Sequence, residues 1–213
     1  MPEYTVIAGP NGAGKSTFSA LLAHPGTLIF DPDKERAKIE RNYPDISDEA
    51  VESELTRVYD TFELKALGIH QDLTVETNLR NTFLAERATH FKKQGYQTNL
   101  IFLLLKDIDH SFKRVNMRVA QKGHFVDQES IRYNYKESLL NLYKVADQFD
   151  NLLLMDVSIK EDQSPPLLLA TFKDKSLNYQ NEEMPGWTIR PFSNIKLALN
   201  SANKKDLPPD IQR

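Results

Sequence analysis

The sequence predicts an α/β fold of three layers, αβα, built on a mainly parallel sheet. Three observations carry that prediction. Apolar, strand-like runs alternate with helical stretches from Tyr4 to Asp156, the pattern of βαβ units. The run Thr98 to Leu105 is the most apolar in the chain, as a central strand buried on both faces is. A glycine-rich segment, Gly9 to Ser16, lies between a strand-like run and a helix-like one. That is the carboxyl end of the first strand, the edge where open α/β sheets bind ligands.

Composition sets the bounds. The 213 residues suffice for one α/β domain with a C-terminal extension. Apolar residues make up 40% and charged residues 27%, which fits a globular chain. The net charge of −3 gives no general attraction to nucleic acid or to an anionic membrane. There is no cysteine, so disulfides and thiolate metal sites are excluded. No apolar run approaches the roughly 20 residues that span a bilayer. The N-terminus runs straight into a strand-like segment with no signal-peptide pattern, and a cytoplasmic location is expected.

The elements follow in order. Tyr4 to Ala8 reads as a strand and Thr17 to Leu22 as the first helix. Thr27 to Phe30 is a second strand ending at Asp31-Pro32-Asp33, followed by a short charged helix from Lys34 to Arg41. Ser47-Asp48-Glu49 starts a longer helix, whose apolar positions Val51, Leu55, Val58, Phe62 and Leu67 have roughly helical spacing. Leu73 to Thr77 is a short strand, Phe83 to Gln94 a helix closed by Gly95. After the central strand, Asp107 or Asp109 begins a basic helix reaching Gln121, and Gln128 to Phe149 is another; together 107–148 form the expected helical lid. Leu152 to Met155 is a fifth strand with Asp156 at its end. Beyond it, Leu167 to Phe172 and Trp187 to Ile189 read as short strands of a small C-terminal β extension over 157–200. One domain is expected over 1–200, with 201–213 a frayed tail.

Gly9-Pro10-Asn11-Gly12-Ala13-Gly14-Lys15-Ser16, followed by Thr17, fits G-x-x-x-x-G-K-[ST], and strand, loop and helix supply its context. Backbone N–H groups of such a loop form an anion nest at a helix N-terminus. Lys15 is placed to reach the β- and γ-phosphates, and the Ser16 hydroxyl to hold Mg²⁺. The fold expected is therefore a P-loop NTPase of kinase type, binding ATP or GTP.

Three classes of nucleotide protein compete. A transporter-type ATPase needs a Leu-Ser-Gly-Gly-Gln-like signature, which is absent. A GTPase needs Asn-Lys-x-Asp; Asn203-Lys204-Lys205-Asp206 matches it literally, but it follows no convincing strand and no Asp-x-x-Gly accompanies it. A small-molecule kinase needs a carboxylate to accept a hydroxyl proton, an acceptor surface, and cations for the transferring phosphoryl. Asp33, with Asp31 beside it, lies at a strand's carboxyl end and supplies the first; a turn with Asp33 capping the next helix is the structural alternative. Glu76 and Thr77 end the third strand and supply the second. Arg114 and Arg118, four residues apart on one helix face, supply the third, where a solvated charged face is the alternative. Arg132 on the next helix and His124 at the lid turn extend the candidate acceptor set. His124 has no partner at ligand spacing, so no zinc-type site is expected. A nucleic-acid end kinase is disfavoured by the net charge and the lack of a long basic patch with aromatics. A nucleotide-binding regulatory protein with little turnover stays open.

Taken together these segments resemble the zeta toxin family of P-loop kinases. The resemblance is carried by the P-loop, Asp31-Pro32-Asp33, Val75-Glu76-Thr77-Asn78-Leu79, the string from Arg114-Val115 through Arg118-Val119 to Lys122-Gly123-His124-Phe125-Val126, Asp156-Val157-Ser158 and Trp187. It implies an ATP- or GTP-dependent kinase of a hydroxyl on UDP-N-acetylglucosamine or a similar small acceptor, with an antitoxin-type protein as partner. It implies Lys15 on phosphate, Asp33 as base, Glu76 and Thr77 on the sugar nucleotide, and Arg114 and Arg118 on the transferring phosphoryl. The chain departs from the family at Lys122, at Asn78, and at Asn134-Tyr135-Lys136-Glu137, where an Arg-Tyr-x-Arg string has lost both arginines.

Overall fold

The computed structural model describes residues 1–120, 126–158 and 165–201. Among them are seven strands: β1 Glu3–Ala8, β2 Leu28–Phe30, β3 Leu73–Thr77, β4 Gln97–Leu104, β5 Asn151–Asp156, β6 Leu167–Lys173 and β7 Ser176–Gln180. The α-helices are α1 Lys15–Leu22, α2 Pro32–Asn42, α3 Asp48–Ile69, α4 Phe83–Lys93, α5 Ile108–Ala120, α6 Gln128–Val145 and α7 Ile189–Asn200. The sheet order is β2-β3-β1-β4-β5-β6-β7. The first five of these pair in parallel, and β6 and β7 join antiparallel. The α/β fold with a mainly parallel sheet is thus the observed one.

The two helical layers are unequal, and strand alternation explains why. Tyr4, Val6 and Ala8 of β1, and Leu100, Phe102 and Leu104 of β4, point to one face and are buried there under helices. Tyr59 and Ala66 of α3, Phe91 of α4, Leu142 of α6 and Ile195 of α7 close that face. Tyr4 stacks on Phe91 with ring centroids 4.2 Å apart. The opposite face is dry only near the carboxyl ends, where Ile7, Ile101 and Leu103 meet Ala13, Val157 and the partly buried Phe18. Towards the amino ends it turns polar: Thr5, Thr74, Asn99 and Asn151 line an open groove. There Asn151 Nδ2 donates to Asn99 Oδ1 at 2.8 Å. The central strand is therefore buried on both faces over its second half only.

Helix starts follow local chemistry. Asp31 caps α2, accepting from the N–H groups of Asp33 and Lys34, with Pro32 at the first helical position. Ser47 caps α3 and Asp127 caps α6. The region 107–148, expected to be a lid, is α5 and α6 with a 3₁₀ turn at Ala146–Gln148. Ile131, Leu142 and Val145 of α6 are buried, so that helix is part of the core layer, and both helices meet the glycine-rich loop, α5 through Ser111 and Arg114 and α6 through Asn134.

The C-terminal extension holds the expected strand at Leu167 and corrects one expectation. Trp187 to Ile189 is not a strand; Gly186–Thr188 is a 3₁₀ turn that feeds α7. Phe192, Ile195 and Leu199 bury one stripe of that helix, a spacing of three and four residues. β7 is not among the strands expected above, although Ser176-Leu177-Asn178-Tyr179-Gln180 alternates polar and apolar residues; all five are exposed.

Candidate active site

The phosphate loop is shaped by close approach. Gly9 has φ of 151°, and a Cβ there would sit 2.6 Å from the Leu103 carbonyl oxygen. Gly12 has φ of 79°, and a Cβ there would sit 2.9 Å from the Cβ of Arg114. Both demands exclude an ordinary side chain. Gly14 starts α1 without a side-chain cap, which leaves first-turn N–H groups for an anion.

Lys15 is folded over this loop. Its Nζ donates to the carbonyls of Gly9 at 3.0 Å and Pro10 at 3.2 Å, and to Asn78 Oδ1 at 2.7 Å. Burial lowers its pKa to about 8, against the opposing pull of the Asp33 and Glu76 carboxylates. The lysine thus occupies carbonyl and amide acceptors that an incoming phosphate would replace.

Beside it lies a cluster of hard oxygen donors. The Ser16 hydroxyl is 2.7 Å from Glu76 Oε2 and 3.2 Å from Asp31 Oδ2. Ser19, one turn along α1, donates to Glu76 Oε1 at 2.6 Å. Asp31 and Glu76 are both buried. Burial raises the pKa of Glu76, the two serine hydrogen bonds oppose it, and the Asp31 charge adds to the rise. Lys34 lies 3.1 Å from Asp31 Oδ2. The Ser16 oxygen flanked by two buried carboxylates fits Mg²⁺, which takes oxygen ligands, one or two carboxylates and the substrate's own phosphates. Among the described residues no group of three or more His, Cys, Asp or Glu is placed to hold a metal ion without other ligands.

Two cavities meet at this cluster. The first, about 190 Å³, is lined by the loop, Lys15, Ser16, Thr17, Arg114 and Arg118, among others. The second, about 200 Å³, is lined by Arg36, Tyr59, Arg80 and Phe83, among others. Pro32, Asp33, Glu76, Thr77 and Asn78 line both. Asp33 therefore stands on the wall between the cavity over the glycine-rich loop and a second one with aromatic and cationic sides. The cap of α2 is Asp31, which leaves the Asp33 carboxylate uncommitted to that role.

The sequence-derived residues sort themselves in space. Asn11, Gly12, Gly14, Lys15, Ser16, Thr17, Asp31, Asp33, Glu76, Thr77, Arg114 and Arg118 converge on the first cavity. Gly9 and Pro10 take part through their carbonyls, and Ala13 is buried beneath the loop. Arg114 Nη1 donates to the Gly12 carbonyl at 3.1 Å, and its Nη2 to the Val157 carbonyl, so it ties the loop to the end of β5. Burial lowers its pKa, with the Asp156 charge opposing. Arg132 is elsewhere: it is exposed, and its guanidinium lies 5.0 Å from the Phe112 ring centroid. His124 lies outside the described residues.

Several participants escape a reading of the sequence. Ser19 repeats Ser16 one helical turn on, a spacing that is legible in principle. Asn78 stands out in the sequence only as a departure from a family pattern, yet it holds Lys15. Arg80 faces the second cavity. Asn134, at the place of a lost arginine, donates to Asn11 Oδ1 at 2.8 Å.

Residues 1–174 match the profile of the zeta toxin family. The chain belongs to the zeta toxin family. A curated relative, an uncharacterized protein of Haemophilus influenzae, is 23% identical over 127 residues, covering 60% of this chain and 88% of its own. Among solved structures, AvrRxo1-ORF1:ORF2 with ATP is similar with a TM-score of 0.66 at 16% identity, covering 95% of this chain and 66% of that one. The chain thus spans just under two thirds of that protein. The PezAT toxin–antitoxin system of Streptococcus pneumoniae is similar with a TM-score of 0.58 at 17% identity, covering 94% of this chain and 86% of that one. A kinase-like protein of Chloroflexus aurantiacus gives 0.52 at 18% identity, covering 64% and 76%. At these identities the shared property is the fold. No described helix is long and apolar enough to cross a membrane.

Proposed function

We propose that the protein is a phosphotransferase that moves the γ-phosphoryl of ATP, or GTP, to a hydroxyl of a small acceptor. The observation that carries the reading is the pair of cavities sharing Asp33 as a common wall. The donor's phosphates fit the loop, where Lys15 exchanges its carbonyl partners for phosphate oxygens. Ser16, Asp31 and Glu76 would hold Mg²⁺, which would supply positive charge to the donor's phosphates. The acceptor hydroxyl gives its proton to Asp33 as its oxygen bonds to the γ-phosphorus; the bond to the bridging oxygen breaks and the nucleoside diphosphate leaves. Arg114 and Arg118 border the donor cavity and supply positive charge there.

The second cavity favours an acceptor with a flat or apolar part against Tyr59 and Phe83 and an anionic part against Arg80. A sugar nucleotide such as UDP-N-acetylglucosamine has that chemistry and is the acceptor proposed. The solved relatives named as complexes with a second protein support an antitoxin-type partner for this chain. The test is transfer of label from γ-labelled ATP with Mg²⁺ to a panel of UDP-sugars and nucleosides, with Lys15→Ala as blank. Asp33→Ala is expected to keep nucleotide binding and lose at least 100-fold in transfer rate, the lower end of the usual ~10²–10⁴ contribution of a general base. Undiminished transfer by Asp33→Ala removes the base assignment; no label on any acceptor removes the transferase reading in favour of a nucleotide-binding regulator.

A further inference from the structure

The loops that border the two cavities are each gripped by the same helix. Asn134 and Asn141 lie seven residues apart on α6, which brings them to nearly one face with a separation of about 10 Å along the axis. Both are buried. Asn134 Nδ2 donates to Asn11 Oδ1 at 2.8 Å, inside the phosphate loop. Asn141 Nδ2 donates to the Leu79 carbonyl at 2.9 Å, in the loop after β3. Leu79 has φ of 53°, an unfavourable conformation for a side chain of its size. It is held there from both ends, because its own N–H donates to Thr77 Oγ1 at 2.9 Å. The turn so fixed aims the neighbouring Asn78 at Lys15.

The helix itself is firmly seated. Ile131, Leu142 and Val145 are buried in the core layer. Tyr135 OH donates to the Leu105 carbonyl at 3.0 Å, which anchors α6 to the end of β4. A rigid element that hydrogen-bonds two separate loops fixes the distance between them, and in-line transfer depends on that distance to within fractions of an ångström.

We propose that α6 is a brace between the donor and acceptor sides, with Asn134 and Asn141 as positioning residues that set the phosphate loop and the acceptor-side loop in register. The proposal rests on the two-cavity reading above. Neither asparagine touches the reacting atoms; each acts through the loop it holds. Asn134 stands where an arginine of the family string was expected, so the position carries a brace here in place of a cation.

The experiment compares Asn134→Ala and Asn141→Ala with the packing-conserving Asn134→Leu and Asn141→Leu in the full chain. It follows backbone amide exchange of 9–14 and 78–82, and binding of a fluorescent ATP analogue. Asn134 variants are expected to weaken analogue binding at least fivefold and to speed exchange in 9–14 alone. Asn141 variants are expected to speed exchange in 78–82 alone, to keep analogue binding within twofold, and to lower kcat for the labelled acceptor at least tenfold. Exchange that rises in both segments together, or in neither, overturns the brace. A wild-type protein without transferase activity overturns the functional reading, and the exchange and binding comparison then decides the brace by itself.

Discussion

Two loops follow neighbouring strands and meet at Lys15, and they are built on opposite plans. The phosphate loop after β1 gets its shape from its own residues: glycines at 9, 12 and 14 take positive φ, and nothing larger fits at the first two. The loop after β3 gets its shape from outside. Leu79 also takes positive φ, but it is a leucine, and its N–H and carbonyl are fixed by Thr77 and by Asn141. A loop of the first kind is written into a short string. A loop of the second kind is written into a helix 62 residues further along the chain. The difference teaches that backbone conformation can be specified either by removing a side chain or by recruiting distant ones, and only the first leaves a motif.

The largest effect should come from breaking the first plan. Gly9→Ala drives a Cβ into the Leu103 carbonyl at a backbone angle that favours glycine. Overpacking and backbone strain together should cost about 4 kcal/mol, seen as a lower urea midpoint at unchanged slope. A loss below about 1 kcal/mol would mean that the loop relaxes and is not set by this contact. Thr77→Val tests the second plan at nearly constant volume. It leaves the buried Leu79 N–H without its acceptor, for a loss of about 2 kcal/mol, and should speed exchange in 78–82 while leaving 9–14 alone.

The smallest effect probes the point where the loops meet. Lys15 in the free protein titrates near pH 8, and bound phosphate keeps it protonated to higher pH. ATP affinity should therefore be flat below pH 8 and fall by up to about tenfold per pH unit above it, measured by titration calorimetry. The free protein should show the opposite trend. Its folded pKa lies below the unfolded value, so the unfolded chain binds more protons between about 8 and 10.5, and stability rises across that window. Affinity that stays constant above pH 8 would show that Lys15 does not carry the phosphate.

The unevenness of what the sequence reveals follows from the same contrast. The P-loop, Asp31, Asp33 and Glu76 are legible because they sit at strand ends, where the fold class alone predicts a site. Ile7, Ile101 and Leu103 fit an inner strand, while Asn99 in the same run marks the open half of that face and is masked by its apolar neighbours. α7 is hidden because Pro185-Gly186 suggests turns, although Phe192, Ile195 and Leu199 carry the helical spacing. Arg132 is a candidate by charge alone, and charge does not say which way a helix faces; it lies against Phe112. Asn134 and Asn141 are silent because a buried asparagine declares its partner only once the chain is folded.

The position of β1 in the middle of the sheet has a consequence for synthesis. Glu3 pairs with Gln97, and Gly9 is shaped against Leu103. Among the described strands, β1 thus has the longest gap between its own synthesis and that of its second neighbour. At roughly 5–20 residues per second, its wait is several seconds, longer once the exit tunnel is counted. Throughout that interval the phosphate loop has no wall to fold against. The glycine-rich loop is made well before β4 and can take its observed shape only after β4 has emerged.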